Sequence, residues 1–119
     1  VGVDETGSVW GSMNLNGQQL PEYQNGAWTI PAEDRQVAVI HTLTIDPARA
    51  GQGLARQMVA FAEDTARRQG KTVLRLDTGT ENLPANRMYP ALGYKAAGTV
   101  DTFFMGYAQR PLNLYEKKL

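Results

Sequence analysis

The sequence predicts an α/β (α+β) fold, a mixed central sheet with one full helix after a glycine-rich turn and a short helix nearer the C-terminus. Three observations carry this. Residues 37–45 are β-branched and apolar, too few for a self-standing helix, and stopped by Asp46-Pro47. Residues 54–70 show a helical period, and residues 72–78 return to a strand-like run. Strand, helix and strand at this spacing imply a parallel, right-handed crossover.

The elements follow in order. Residues 1–3 and 8–13 read as two strands about a tight turn at Gly7, and the chain opens inside a strand with no initiator Met. Residues 14–34 are polar and broken by Gly17, Pro21, Gly26 and Pro31, a long excursion in which Tyr23 and Trp28 either pin the loop or line a substrate mouth. In the long helix Leu54, Met58, Phe61, Ala62 and Thr65 form the face expected against the sheet. Glu63 with Arg67 and Asp64 with Arg68 are spaced to pair, and Gly70 is the stop. Asn82 as cap, Pro84 in the first turn and Gly93 past the end mark the short helix. Pro90 inside it is expected to tighten or kink the chain just after Tyr89. Residues 95–105 and 111–118 close the sheet as strands joined through Gly106 and Arg110-Pro111.

A chain of 119 residues, 42% hydrophobic and 20% charged, is expected to be one domain, 1–119, around one core. Twelve basic and twelve acidic residues cancel, so nothing in the charge points to nucleic acid or an anionic membrane. The absence of cysteine removes disulfides, thiolate metal sites and cysteine nucleophiles. A single histidine cannot build a histidine-rich zinc site, so no metal is expected. No stretch approaches the ~20 apolar residues of a membrane span and no signal pattern opens the chain, which makes a cytoplasmic setting the default.

Chemistry is expected at the turn. Residues 50–55 offer backbone with almost no side chain above it, where a helix begins and its first N–H groups lack internal partners. The first helical turn has no Asp or Glu to meet the positive dipole end, and Arg49 and Arg56 flank it instead. A phosphate would supply the missing charge, with the dipole contributing about 0.3–1 kcal/mol; the alternative is an irregular glycine turn capped by water. It is not a Walker loop, because Gly70-Lys71-Thr72 closes a helix and Thr65 occupies the first glycine position. A dinucleotide fingerprint fits poorly, since its third small residue falls on Arg56.

The turn resembles motif A of the GCN5-related N-acetyltransferases (GNAT), Gln/Arg-x-x-Gly-x-Gly/Ala after a strand ending in an x-Pro pair. Gly53 and Ala55 match; the first position is Ala50, with Arg49 one residue early. Residues 82–94 resemble motif B, Asn-x-x-Ala-x-x-x-Tyr leading to Gly-Phe/Tyr, through Asn82, Ala85, Tyr89, Gly93 and Tyr94. The resemblance covers almost the whole chain. It implies that the strands before the turn and after the helix splay, so that Leu43, Thr44 and Ile45 pair with the pantetheine of acetyl-CoA (coenzyme A). It also implies that Gly51, Gln52, Gly53, Leu54 and Ala55 take the pyrophosphate with Arg49 beside them, while Asn82 faces the pantetheine arm or the helix start.

The implied activity is acetyl-CoA-dependent N-acetyl transfer by direct attack of a neutral primary amine on the thioester. Tyr89 resembles the family's general acid, a phenol of pKa ~10 beside a thiol of ~8.5; its structural alternative is core packing. His41, the side chain that titrates near neutrality, lies on the strand beside the expected thioester and resembles the histidine of arylalkylamine acetyltransferases; Glu33 and Asp77 are weaker candidates for the base. The acceptor is a small-molecule amine or a peptide, and Tyr23, Trp28 and Phe103-Phe104 would permit an aromatic one. The family's acceptor-side strand and helices have no counterpart ahead of Val1. The expectation is therefore that a partner chain or homodimer supplies that wall, that the chain is a fragment of a longer protein, or that it is an acyl-CoA-binding or regulatory module without catalysis.

Overall fold

The computed structural model describes residues 1–104 and 108–119; of residues 103, 104, 108 and 109 it describes the backbone alone. The expected link at Gly106 lies outside the described residues. The strands are β1 Gly2–Val3, β2 Val9–Asn16, β3 Val37–Ile45, β4 Val73–Gly79, β5 Lys95–Phe104 and β6 Ala108–Lys118; the helices are α1 Leu54–Arg68 and α2 Leu83–Ala91. They form one six-stranded mixed sheet in the order β1-β2-β3-β4-β6-β5, with β3 and β4 parallel and the other pairs antiparallel. Among the described residues no helix is long and apolar enough to cross a membrane.

The two faces are covered differently. On one, Ile40, Leu74, Leu76 and Tyr115 pack with Val59 and Ala62 of α1 and Tyr89 of α2. On the other, Val37, Val39, Ala97, Val100 and Leu114 are covered by the loop after β2 through Tyr23 and Trp28. The loop is stitched to the sheet by Glu116, whose buried carboxylate accepts the N–H groups of Thr29 and Ile30, each at 2.9 Å. Both aromatic anchors therefore pin the loop.

Four sequence expectations are corrected. Phe61 does not face the sheet: it is 62% exposed, and α1 buries Met58, Val59, Ala62, Glu63 and Ala66 instead. Arg67 takes both acidic neighbours, Asp64 at 3.2 Å and Glu63 at 3.8 Å, while Arg68 bonds the Asp64 backbone carbonyl. β2 continues to Asn16, because 14–16 pair with β3 at His41, Ile40 and Val39. Arg110-Pro111 lies inside β6; β4 ends at Gly79 opposite Leu112, so the missing N–H of Pro111 has no β4 acceptor to serve.

The parallel β3–β4 ladder stops at Ile40 and Leu76. Beyond it β3 keeps only β2, and β4 keeps only β6. A bulge marks the divergence: His41 pairs with Asn14 and Thr44 with Ser12, so Thr42 and Leu43 together oppose Met13. Thr42 takes φ +54°, a left-handed conformation that costs an L residue about 1–2 kcal/mol.

Candidate active site

The gap between the diverging strands opens into a cleft of about 990 Å³, bounded by the end of β3, the turn before α1, the end of β4 and one face of α2. The bulge decides which side chains reach it. Simple alternation would put Leu43 on the Val39 face; the extra residue returns it to the helix face of Ile40, where it packs on the core. Leu43 and Ile45 accordingly line the cleft, and Thr44 does not.

Asp46 caps the 3₁₀ turn Pro47–Arg49 by accepting from Ala48 N–H at 3.0 Å, and the chain then enters α1 through two left-handed glycines, Gly51 at φ +82° and Gly53 at φ +73°. The first helical bond runs from Gln57 N–H to the Gly53 carbonyl. The N–H groups of residues 51–56 meet no acceptor among the described residues, and no side chain caps α1. Gly51, Gly53, Leu54 and Ala55 line the cleft; Gln52 does not. A run of free donors at the positive end of a 15-residue helix is a cradle for an anion.

Arg49 borders the cleft but is tied to Asp4 at 2.8 Å and lies 3.8 Å from Asp46. The Thr6 hydroxyl first, then the Ser8 N–H and Arg49, hold the Asp4 carboxyl well below the usual carboxylate range. Arg56 and Arg87 also line the cleft and make no ion pair among the described residues, which leaves them as the cations available to an anion. The sequence reading missed Arg87, although Pro84, Arg87, Met88 and Ala91 fall on one helical face and all line the cleft.

α2 is fixed at its N-terminal turn. Asn82 caps it by accepting from Ala85 N–H at 3.3 Å. Asn86, which the sequence reading also missed, donates to the Gly79 and Asn82 carbonyls at 3.0 and 2.9 Å and accepts from Asn113 and the Tyr115 hydroxyl at 2.9 and 2.7 Å. Pro90 does not displace Tyr89: α2 runs on to Ala91, and Tyr89 packs at 5.7 Å from Tyr94 and 5.6 Å from Tyr115 while lining the cleft. Its hydroxyl has no hydrogen-bond partner among the described residues. Burial, with the Asp77 charge and Tyr115 nearby, pushes its pKa up to about 12.

The candidate bases separate. His41 sits before the bulge and lies outside the cleft; its Nε2 is 2.9 Å from Asn16 Oδ1. Glu33 pairs with Arg35 at 2.6 Å and caps the turn at 34–36, also away from the cleft. Asp77 alone of the three shares the cleft with Tyr89. Burial raises its pKa, against the lowering effect of a hydrogen bond from the Tyr23 hydroxyl at 2.6 Å.

Comparison with known proteins agrees with this geometry. Residues 3–94 match the model of the acetyltransferase (GNAT) family. An uncharacterised N-acetyltransferase of Methanocaldococcus jannaschii is 32% identical over 68 residues, 57% of this chain and 30% of that protein. Two solved structures share the fold: yncA of Salmonella typhimurium, solved with its cofactor acetyl-CoA (TM-score 0.72, 22% identity, 98% of this chain and 61% of that one), and a GCN5-related N-acetyltransferase of Kribbella flavida (0.74, 23%, 98% and 64%). The chain thus spans under a third of that curated relative and about three fifths of these structures.

Proposed function

This chain belongs to the acetyltransferase (GNAT) family, and from that membership we propose that it binds acetyl-CoA and transfers the acetyl group to a primary amine, of a small molecule or a peptide, with residues 1–119 acting as one domain. The observation that carries the reading is that Gly51 and residues 53–56, whose N–H groups meet no acceptor among the described residues, line the same cleft as Tyr89.

When bound, acetyl-CoA supplies an acetyl group activated as a thioester. The N–H groups of Gly51 and of residues 53–56 would hold its diphosphate by charge-assisted hydrogen bonds, with Arg56 and Arg87 offsetting the remaining negative charge. Leu43 and Ile45, whose backbone has no β4 partner, pair with the pantetheine arm. Asn82 and the turn of α2 behind it wall the other side. Tyr89 holds its proton throughout the neutral range and delivers it to the departing sulfur.

The hydroxyl also separates catalysis from binding alone. The phenol oxygen of a residue that is 4% exposed, with no partner among the described residues, adds nothing to the cradle, whereas phenylalanine would fill the same space without a polar atom to desolvate. Calorimetry with CoA, run beside thiol release from acetyl-CoA across a panel of primary amines, tests both parts. Uptake with turnover supports transfer, uptake alone reduces the chain to a binding module, and no uptake removes the reading.

A further inference from the structure

Among the described residues, two carboxylates are buried, Glu63 and Glu116, and Asp77 is half-buried; the three are not equally provided for. Glu116, fully buried, accepts a backbone N–H on each oxygen. Glu63 is met by Lys117 at 3.1 Å, by the Tyr94 hydroxyl at 2.8 Å and by Arg67. Asp77 has one neutral donor: its Oδ2 accepts from Tyr23, and its Oδ1 has no partner among the described residues. A half-buried carboxylate with a single neutral donor gains little for stability, and what sets Asp77 apart is its position. It is the first residue of β4 beyond the last pairing with β3, so it stands in the gap between the strands, in the cleft that Tyr89 lines.

Tyr23 reaches it from 54 residues earlier in the chain. Its ring is 2% exposed and braced by Trp28 at 5.2 Å, whose Nε1 donates to the Tyr23 carbonyl at 2.7 Å. The loop after β2 is thereby coupled to one oxygen of Asp77, which leaves the other oxygen for the cleft.

We propose that Asp77 accepts, on Oδ1, the proton that the acceptor nitrogen sheds as its bond to the acetyl carbon forms, and that Tyr23 is the positioning residue that aims this carboxylate. The proposal rests on the acetyl-transfer reading above. As nitrogen becomes an amide its N–H grows far more acidic than an amine's, so a carboxylate suffices as the base; the bonding pair stays on nitrogen and the proton passes to Asp77. Tyr89 gives up one proton to the departing sulfur while Asp77 gains one. Passage of that proton from Asp77 to the Tyr89 oxygen through cleft water restores both.

The groups facing Asp77 are Tyr23 and Glu22 from the loop, His41 from β3 and Tyr89 from α2; its cross-strand neighbour on β6 is Leu114. Burial first, with Glu22 adding, lifts the carboxyl above its ordinary range, while Tyr23 and His41 pull it down. Removing the Tyr23 hydroxyl therefore raises it further.

Carbon-13 NMR of the aspartate carboxyls in the free protein reads that change directly: in Tyr23→Phe the Asp77 titration moves to higher pH. In the thiol-release assay the acid limb of kcat/KM moves with it, and turnover above the limb falls, though less than in Asp77→Asn. Asp77→Asn lowers kcat by about 10²–10⁴ and removes the limb, Asp77→Glu recovers part of the rate, and calorimetric CoA affinity is unchanged in all three variants. Turnover by Asp77→Asn at the wild-type rate, or an NMR titration and limb that ignore Tyr23→Phe, overturns the proposal alone. A wild-type protein that takes up CoA but acetylates no amine removes the acetyl-transfer reading and the proposal with it.

Discussion

Replacing Tyr89 by phenylalanine removes one oxygen and little else. The ring keeps its contacts with Tyr94 and Tyr115, and since the hydroxyl has no protein partner among the described residues, its loss leaves no orphan. Stability should change by less than about 1 kcal/mol. The rate should not be spared. With the phenol at about 12 and a thiol near ~8.5, full proton transfer is uphill by about 3.5 units, or about 5 kcal/mol at ~1.36 kcal/mol per unit. That is steeper than an exposed phenol would give, yet it fits under the barrier of about 13–17 kcal/mol that corresponds to turnover between ~1 and ~10³ per second. General acid catalysis of this kind contributes about 10²–10⁴-fold, so Tyr89→Phe should lose about 3–5.5 kcal/mol of transition-state stabilisation. Thiol release measured beside calorimetry for CoA checks it: kcat falls while CoA affinity and the unfolding midpoint hold. Equal rates, or a rate loss matched by an equal loss of CoA affinity, would refute the assignment.

Gly53→Val forces a β-branched residue into φ +73° at the mouth of α1, where a Cβ meets nothing within 4 Å. The cost is conformational, about 1–2 kcal/mol or more, and calorimetry should show CoA affinity falling with it; unchanged affinity in a folded variant would remove the cradle. Glu116→Gln swaps one acceptor for a donor opposite the N–H groups of Thr29 and Ile30. It should cost about 1–3 kcal/mol in urea unfolding and speed hydrogen exchange at those two amides, and an undisturbed midpoint would show that the loop is held otherwise. Burial raises the phenols of Tyr23, Tyr89 and Tyr94 above their ordinary value near 10. Their contribution to stability is thus complete below pH 10 and lost as pH rises through the folded values, for Tyr89 between 10 and about 12; urea midpoints that stay level to pH 11 would contradict this.

Local chemistry made much of the fold legible. The bounds of β3, the glycine entry to α1 at Leu54 and the Asn82 cap of α2 each rest on side chains within a few residues, and the structure has them there. What local chemistry left open depends on what lies across space. Phe61 and Ala62 are adjacent on an amphipathic helix, and only the position of the sheet beneath decides that Ala62 is buried and Phe61 is not. Arg49 beside the turn reads as a phosphate ligand, and its pairing with Asp4, distant in sequence, is visible only in the fold. Asp77 reads as one carboxylate among several because its hydrogen-bond donor, Tyr23, is also distant in sequence.

The placement of His41 depends on the fold in the same way, and it leads back to Thr42. Read as a regular strand, residues 40–45 put His41, Leu43 and Ile45 on one face, so a histidine belongs beside the backbone expected to hold a ligand. The bulge breaks that parity: His41 stays with Val39, while Leu43 turns to the helix side with Ile40. Nothing in Thr42 announces it, since a β-branched residue is among the better strand formers and among the worst at positive φ. The strain is therefore imposed from outside, by β2 on one side and by the end of pairing with β4 on the other. An unbulged β3 could continue beside β4, closing the gap in which Asp77 stands and carrying Leu43 out of the cleft. At about 1–2 kcal/mol, the left-handed threonine is the conformational cost of the gap in which Asp77 stands and of the turn of Leu43 into the cleft.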